Sequence, residues 1–112
     1  FGLAAHIKWS FGCDTMIEAF EKGKDFELEK VIDKIACPYF ICHGGFDVLG
    51  VAQAQTVYDN AKAGGVDVTL KFIGEDETGA EHCQHDNPTI GQEYINDWLA
   101  DQFGIDQSKL GA

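Results

Sequence analysis

The segment from residue 79 to residue 88, GAEHCQHDNP, concentrates chemically capable side chains in one short stretch. It holds two histidines, two carboxylates and a cysteine between a strand-like run and a helix-like run. Asn87 and Pro88 are sufficient to begin a helix, as N-cap and first helical residue. The surplus of polar side chains therefore predicts catalysis, metal binding or a solvated acidic turn.

A second polar motif, HGGFDVLG, follows the apolar run YFICH and contains Asp47. In open α/β sheets, functional groups gather beyond the carboxyl ends of the strands. Two neighbouring parallel strands would bring Asp47 and His82 to the same end of a sheet. A carboxylate that accepts a hydrogen bond from one ring nitrogen fixes the tautomer of a histidine and leaves the other nitrogen free as a base.

The elements that must position these residues are predicted in the order strand, helix, strand, loop, helix. YFICH is continuously apolar, which is typical of a strand buried on both faces. VAQAQTVYDNAKAGG has a helical apolar face, whereas VDVTLKFI alternates with a period of two. A right-handed crossover makes the two strands parallel. Two parallel strands do not complete a sheet, so we expect further strands outside this sequence.

Helices are predicted along the chain both before the first strand and after the second strand. TMIEAFEKG carries a capping box, in which Thr15 and Glu18 bond reciprocally. ELEKVIDKIACP has a helical stripe of Leu28, Val31, Ile32 and Ile35. The last helix, after Pro88, has an apolar face that consists of Tyr94, Ile95, Trp98, Leu99 and Phe103. The opening FGLAAHIKWSFG has no initiator Met, no cap and no clear period, and we interpret the chain as a fragment.

The size, charge and cysteine content of the chain limit the kinds of partner and compartment that we expect for it. The chain has 112 residues, enough for one small domain, and a net charge of −11. It contains no Arg, and its lysines are scattered, which argues against nucleic acid and anionic membranes as partners. No stretch has the length and apolarity of a membrane span. Four cysteines without a C-x-x-C pair predict free, mostly buried thiols in a reducing compartment, so we expect a cytoplasmic protein.

The residues from about Phe20 to Phe103 resemble the C-terminal part of an α/β-hydrolase. IACPYFICHGGFDVLGVAQAQTVYDNA is similar to the stretch that ends in the triad acid, and GAEHCQ resembles the loop that carries the triad histidine. The combination is similar to the branch related to 2,6-dihydroxypseudooxynicotine hydrolase and to fungal polyketide-shortening hydrolases. The fold class this implies is α/β, with a sheet that is incomplete in this chain.

The resemblance assigns roles to particular residues. It implies that Asp47 is the triad acid and His82 the general base, with a nucleophile in a G-x-S-x-G elbow. Ser10 and Ser108 do not lie in such an elbow, so the serine would belong to the remainder of the hydrolase chain. Residues 1–36 would form a lid or connecting segment and residues 37–112 part of the core. Three lid residues, His6, Trp9 and Phe11, would contact the substrate.

The implied reaction is hydrolysis of an ester, or of a carbon–carbon bond next to a ketone. The substrate would be a small, hydrophobic, ketone-bearing molecule, with no cofactor and no metal. The unpaired edge of YFICH predicts association, either with the rest of a hydrolase chain or in a homodimer.

Several alternatives stay open at the level of sequence. Asp47 could cap the following helix, and His82 could be a solvated loop residue. Cys83 could be a nucleophile, and His43 is expected to be structural. A metal site is a further reading, with ligands from Cys42, His43, His82, Cys83 and His85. The carboxylates of Glu75, Asp76, Glu77 and Glu81 are expected to be a solvated charge run. The rival function is a noncatalytic α/β binding or interaction module.

Overall fold

The computed structural model of the chain describes residues 2–74 and 76–109. These residues form a mixed α/β structure of two compact units, which divide between Val31 and Ile32. The helices and strands are α1 (Gly2–Phe11), α2 (Met16–Gly23), β1 (Tyr39–Gly44), α3 (Val51–Ala63), β2 (Val68–Ile73) and α4 (Pro88–Phe103). The predicted order from the first strand onward is confirmed.

The first unit consists of α1, α2 and the turns that follow them. The predicted capping box is present: the Glu18 amide donates to Thr15 Oγ1 at 3.2 Å, and Glu18 Oε2 accepts from the Thr15 amide at 3.3 Å. Lys22 Nζ donates to the carbonyl of Phe11 at 2.8 Å, near the end of α1. The sequence did not predict α1, because its opening has neither a cap nor a regular apolar period.

The predicted helix over ELEKVIDKIACP is wrong. The segment forms two 3₁₀ turns, Leu28–Lys30 and Ile32–Lys34, separated by Val31 at φ −135° and ψ −2°. β-Branched side chains have restricted χ1 in a helix, which weakens the helical preference of this stretch. Ile32 is buried, whereas Leu28 and Val31 stay about two-fifths exposed, at 41% and 43%. Tertiary packing of one isoleucine has therefore prevailed over the apolar period.

The second unit is built on a parallel pair of strands, β1 and β2, in register from Tyr39 opposite Val68 to Gly44 opposite Ile73. On one face, α3 covers a core of Ile32, Ala61, Val66 and Val68. Because neighbouring residues of a strand point to opposite faces, Phe40 lies on the other side, where its ring stacks on Trp98 of α4 at 5.3 Å. Residues 39–43 are only half-buried, because the sheet within the described residues has two strands.

Two further expectations concern the surface. No helix among residues 2–74 and 76–109 is long and apolar enough to cross a membrane. The four cysteines are free, but the expectation that they are mostly buried is wrong, because Cys37 and Cys83 are exposed. Cys37 precedes β1 and Cys83 lies in the 3₁₀ turn His82–Gln84, so neither belongs to the sheet.

Candidate active site

Asp47 and His82 lie side by side beyond the carboxyl ends of the two strands. His82 Nδ1 is 2.8 Å from Asp47 Oδ2, which is hydrogen-bonding distance. The carboxylate accepts, so Nδ1 carries the proton and neutral His82 has its lone pair on Nε2. Asp47 is buried, whereas the His82 side chain is 57% exposed. Nε2 has no hydrogen-bond partner among the described residues, so it can accept a proton from a group that approaches from solvent.

The Asp47 carboxylate accepts a hydrogen bond from His82 and does not cap α3. Its Oδ1 accepts from the Leu49 amide at 3.0 Å, while the N-cap residue of α3 is Gly50. The hydrogen bond from His82 is the largest effect on the Asp47 carboxyl and, with a smaller contribution from the Leu49 amide, it lowers the pKa of Asp47 although burial acts to raise it. The carboxylate is therefore ionised at neutral pH, as an orienting partner for an imidazole must be.

Two glycines after β1 allow the histidine loop to lie directly against the strand end. A Cβ on Gly44 would lie 2.3 Å from the Ala80 carbonyl oxygen and 2.4 Å from that of Glu81. A Cβ on Gly45 would lie 2.8 Å from the carbonyl oxygen of Ile73. The Phe46 amide also donates to the Ala80 carbonyl at 2.9 Å. The HGG sequence thus forms the support on which the residues before His82 rest.

His43 borders the same carboxylate. Its Nδ1 is 2.9 Å from the carbonyl oxygen of Gly44, which can only accept, so Nδ1 carries the proton. Its Nε2 is 3.5 Å from Asp47 Oδ2. A Cβ on Gly50 would lie 2.6 Å from this nitrogen, and the ring of Phe72 packs edge-on against the imidazole. His43 is enclosed by these neighbours, which suits the structural role expected for it.

Side-chain hydrogen bonds hold the loop around His82 in place, and they explain part of its polar composition. Asp86 accepts from the Gly79 amide at 2.6 Å and from the Glu81 amide at 3.2 Å. Asn87 is the N-cap of α4 by position, but its side chain makes no cap hydrogen bond and instead donates to Thr78 Oγ1 at 2.6 Å. One of the two carboxylates in GAEHCQHDNP is thus a structural ligand of backbone amides.

Backbone strain marks the same loop. Cys83 has φ 54° and Gln84 φ 52°, a left-handed conformation that non-glycine residues rarely adopt. Both directly follow His82. Nothing in the residue types predicted this feature, since neither Cys nor Gln favours the left-handed region. His85, expected to be solvated, is exposed and lies 3.4 Å from Glu81.

The prediction that Glu77 belongs to a solvated charge run is wrong. Its carboxylate accepts from Lys71 Nζ at 2.9 Å and from the Tyr94 hydroxyl of α4. Lys71 Nζ also lies 4.4 Å from the centre of the Tyr94 ring. These hydrogen bonds, that from Lys71 foremost, lower the pKa of Glu77. Asp76 and Glu81 are exposed, and Glu75 lies outside the described residues.

No group of three or more His, Cys, Asp or Glu side chains within residues 2–74 and 76–109 is arranged to hold a metal ion. Cys42 and His43 point to opposite faces of β1, so they cannot share an ion. Cys42 faces the side of Lys71, and burial raises the pKa of its thiol. Cys83 is exposed beside His82, and no described contact activates it.

A shallow cavity of about 360 Å³ opens beside the Asp47–His82 pair. Its walls combine an apolar side and a polar side, formed by Phe46, Val48 and Leu49 and by Asp47, Glu81, His82 and His85. Val48 and Leu49 are 95% and 70% exposed. A larger groove of about 630 Å³ adjoins the same loop and extends along the first turns of α3 to Thr56.

The three substrate residues expected in the lid lie on α1 in the first unit. The rings of His6 and Trp9 are 5.9 Å apart, and Trp9 is 79% exposed. Phe11 packs edge-on against Phe26, with ring centres 5.6 Å apart. Phe11 is thus engaged within its own unit, whereas His6 and Trp9 face solvent. Their contact with a substrate stays a prediction.

Comparison with known proteins gives one distant similarity. No family model matches the chain, and no solved structure matches it. A non-reducing polyketide synthase of Emericella nidulans is 27% identical, in a match that covers 63% of this chain and 4% of the synthase. The chain therefore spans a small part of the relative it matches. This similarity concerns a small segment of the synthase and does not define the family of the chain.

Proposed function

We propose that these residues are the C-terminal part of a serine hydrolase of the α/β-hydrolase superfamily. In this proposal Asp47 and His82 serve a serine nucleophile located elsewhere in the intact protein, residues 37–112 belong to the hydrolase core, and residues 1–36 form its lid. The observation that carries the proposal is the 2.8 Å contact between His82 Nδ1 and Asp47 Oδ2 at the carboxyl ends of two parallel strands.

The proposed chemistry follows from the free Nε2 of His82. Nε2 takes the proton of the serine hydroxyl as the oxygen attacks the substrate carbonyl carbon, and the carbonyl electron pair moves to its oxygen. When this pair returns, the bond to the leaving group breaks, and Nε2 gives its proton to the leaving oxygen or carbon. Water, deprotonated by the same nitrogen, then releases the acid and the serine. Asp47 stabilises the imidazolium in both steps.

The apolar wall of the small cavity supports a hydrophobic substrate. Phe46, Val48 and Leu49 flank Asp47, so an aromatic or aliphatic body could lie against them while its carbonyl group faces His82. The similarity to a polyketide synthase agrees with a ketone-bearing substrate class. We propose hydrolysis of an ester, or of a carbon–carbon bond next to a ketone, in the cytoplasm and without a cofactor.

The test is hydrolysis of a p-nitrophenyl ester by the intact protein and three variants. His82→Ala should abolish turnover, because no other described group can take the proton of the nucleophile. Asp47→Asn should lower kcat by about 10⁴-fold, as loss of the orienting carboxylate does in serine proteases. Cys83→Ser is the matched control in the same loop and should retain activity. Absence of turnover in all four proteins would favour the noncatalytic binding module, and equal, full activity in all four would mean that the GAEHCQ loop is only a turn.

A further inference from the structure

We propose that Asp86 is a positioning residue for His82, a clamp that holds the histidine loop closed. The inference rests on the proposed function, because it assigns His82 a catalytic task. Asp86 carries no catalytic step itself. It acts through the backbone amides of Gly79 and Glu81, on either side of Ala80.

The contacts of Asp86 span His82 along the chain. Its carboxylate follows His82 by four residues, yet it binds two amides that precede the histidine. Oδ2 accepts from Gly79 at 2.6 Å and Oδ1 accepts from Glu81 at 3.2 Å. Both carboxylate oxygens are thus used, and the segment between them is closed into a ring. His82 is the residue next to one of the two bonded amides.

The ionised form of Asp86 is the one that closes the ring. Burial acts to raise the pKa of this carboxyl, but several backbone amides, those of Gly79 and Glu81 foremost, favour the charged form and lower the pKa overall. A carboxylate is acceptor-only and matches two N–H donors. An asparagine side chain in the same place would present its NH₂ group to one of the two amides, so it could bind only the other.

The loop needs such a tie because of its backbone. Cys83 and Gln84 are both left-handed, at φ 54° and 52°, immediately after His82. Two consecutive non-glycine residues in this region persist only where the surroundings hold them. Without the clamp, these residues can relax toward ordinary conformations, and the ring of His82 would move away from Asp47. The close packing of Ala80 on Gly44 fixes one side of the loop and Asp86 fixes the other.

Asp76 offers a matched control. Like Asp86 it lies between β2 and α4 and carries a negative charge, but it is exposed and accepts no hydrogen bond from a loop amide among the described residues. Asp86→Asn and Asp76→Asn each remove one negative charge from the loop. Only the first removes an acceptor from the backbone ring, so a difference between them reports the clamp and not the local field.

The experiment measures ester hydrolysis and the proton NMR signal of His82 Nδ1–H in the intact protein, its Asp86→Asn variant and its Asp76→Asn variant. A misplacement of about 1 Å can lower catalysis by about 10²-fold. We expect Asp86→Asn to lower kcat/KM by between about 10- and 100-fold and to broaden or shift the downfield Nδ1–H signal. Asp76→Asn should leave both within about twofold of the unmodified protein.

The outcomes separate the two claims. If Asp86→Asn keeps its activity and the Nδ1–H signal, the clamp is refuted while the catalytic pair stands. If the unmodified protein lacks the signal and His82→Ala is active, the proposed function is refuted. Should Asp86→Asn fail to fold, a pH titration of the unmodified protein decides: the amide resonances of Gly79 and Glu81 should shift together with the Asp86 carboxyl, and independent shifts would overturn the clamp.

Discussion

The most demanding prediction concerns Gly44, the residue on which the histidine loop rests. A methyl group on Gly44 would lie 2.3 Å from the Ala80 carbonyl oxygen and 2.4 Å from that of Glu81, and contacts under 3.0 Å are essentially never formed by a Cβ. The loop must therefore retreat by about 0.7 Å to reach the shortest tolerated distance, and by about 1 Å for an unstrained contact. Both carbonyl oxygens belong to the backbone, so no side-chain rotation can move them away from the added methyl group.

The shift would act on the residues directly before His82. Because a displacement of about 1 Å can lower catalysis by about 10²-fold, we expect Gly44→Ala to lower kcat/KM of ester hydrolysis by that order. Overpacking of this kind also lowers the free energy of unfolding by about 1 to 3 kcal/mol. Kinetics and thermal denaturation measured on the same preparation would separate the two effects.

Gly23→Ala is the control for this experiment. A Cβ on Gly23 meets only the ring of Phe11, at 3.9 Å, an ordinary van der Waals distance. This variant should match the unmodified protein in activity. If Gly44→Ala were as active as Gly23→Ala, the backbone of residues 80–81 would not govern the position of His82, and the geometric basis of the site would be refuted.

Three further predictions follow from the same contacts. Asp47→Asn should stay folded but lose less stability than the unmodified protein between pH 5 and pH 2, measured by urea denaturation. A carboxyl whose folded pKa is lowered stabilises the fold above its unfolded pKa of about 3.9, and that stabilisation disappears as the pH falls through the folded value. Parallel pH profiles would contradict this. Cys83→Gly should raise the free energy of unfolding by about 0.5 to 1 kcal/mol, because glycine adopts φ 54° without the penalty of a Cβ but is more flexible when unfolded; a lower melting temperature would count against it. Tyr94→Phe should leave ester hydrolysis nearly unchanged but remove one donor to Glu77 and raise the pKa of that carboxyl, as read by NMR; an unchanged pKa would show that Lys71 alone sets it.

The parts of the fold that local chemistry determines could be predicted from the sequence. The capping box of Thr15 and Glu18 depends on residues three apart, and it is present as expected. The parallel strands followed from an apolar run, a helix and an alternating run. The helix expected over residues 28–35 failed because its period is helical but Ile32 packs in the core beside Ala61. A one-dimensional pattern cannot weigh that tertiary contact.

The proximity of Asp47 and His82 could be predicted from the sequence, but the contacts that hold the histidine loop in place could not. Asp47 and His82 meet because parallel neighbours bring their loops to one end of the sheet, a rule that needs no coordinates. The roles of Gly44 and Asp86 depend on where the loop crosses the strand end. Glycine and aspartate are both common turn residues, so a glycine after a strand or an aspartate before a helix does not by itself indicate a role in the site.

The central claim is that His82 is the general base of a serine nucleophile, and labelling of the intact protein with a fluorophosphonate tests it most directly. The reagent forms a covalent bond to an activated serine, and peptide mapping by mass spectrometry locates the label. We expect one labelled serine, other than Ser10 and Ser108, loss of labelling in His82→Ala, and unchanged labelling in Cys83→Ser. Labelling that is equally fast in His82→Ala, or a label on Cys83, would contradict it.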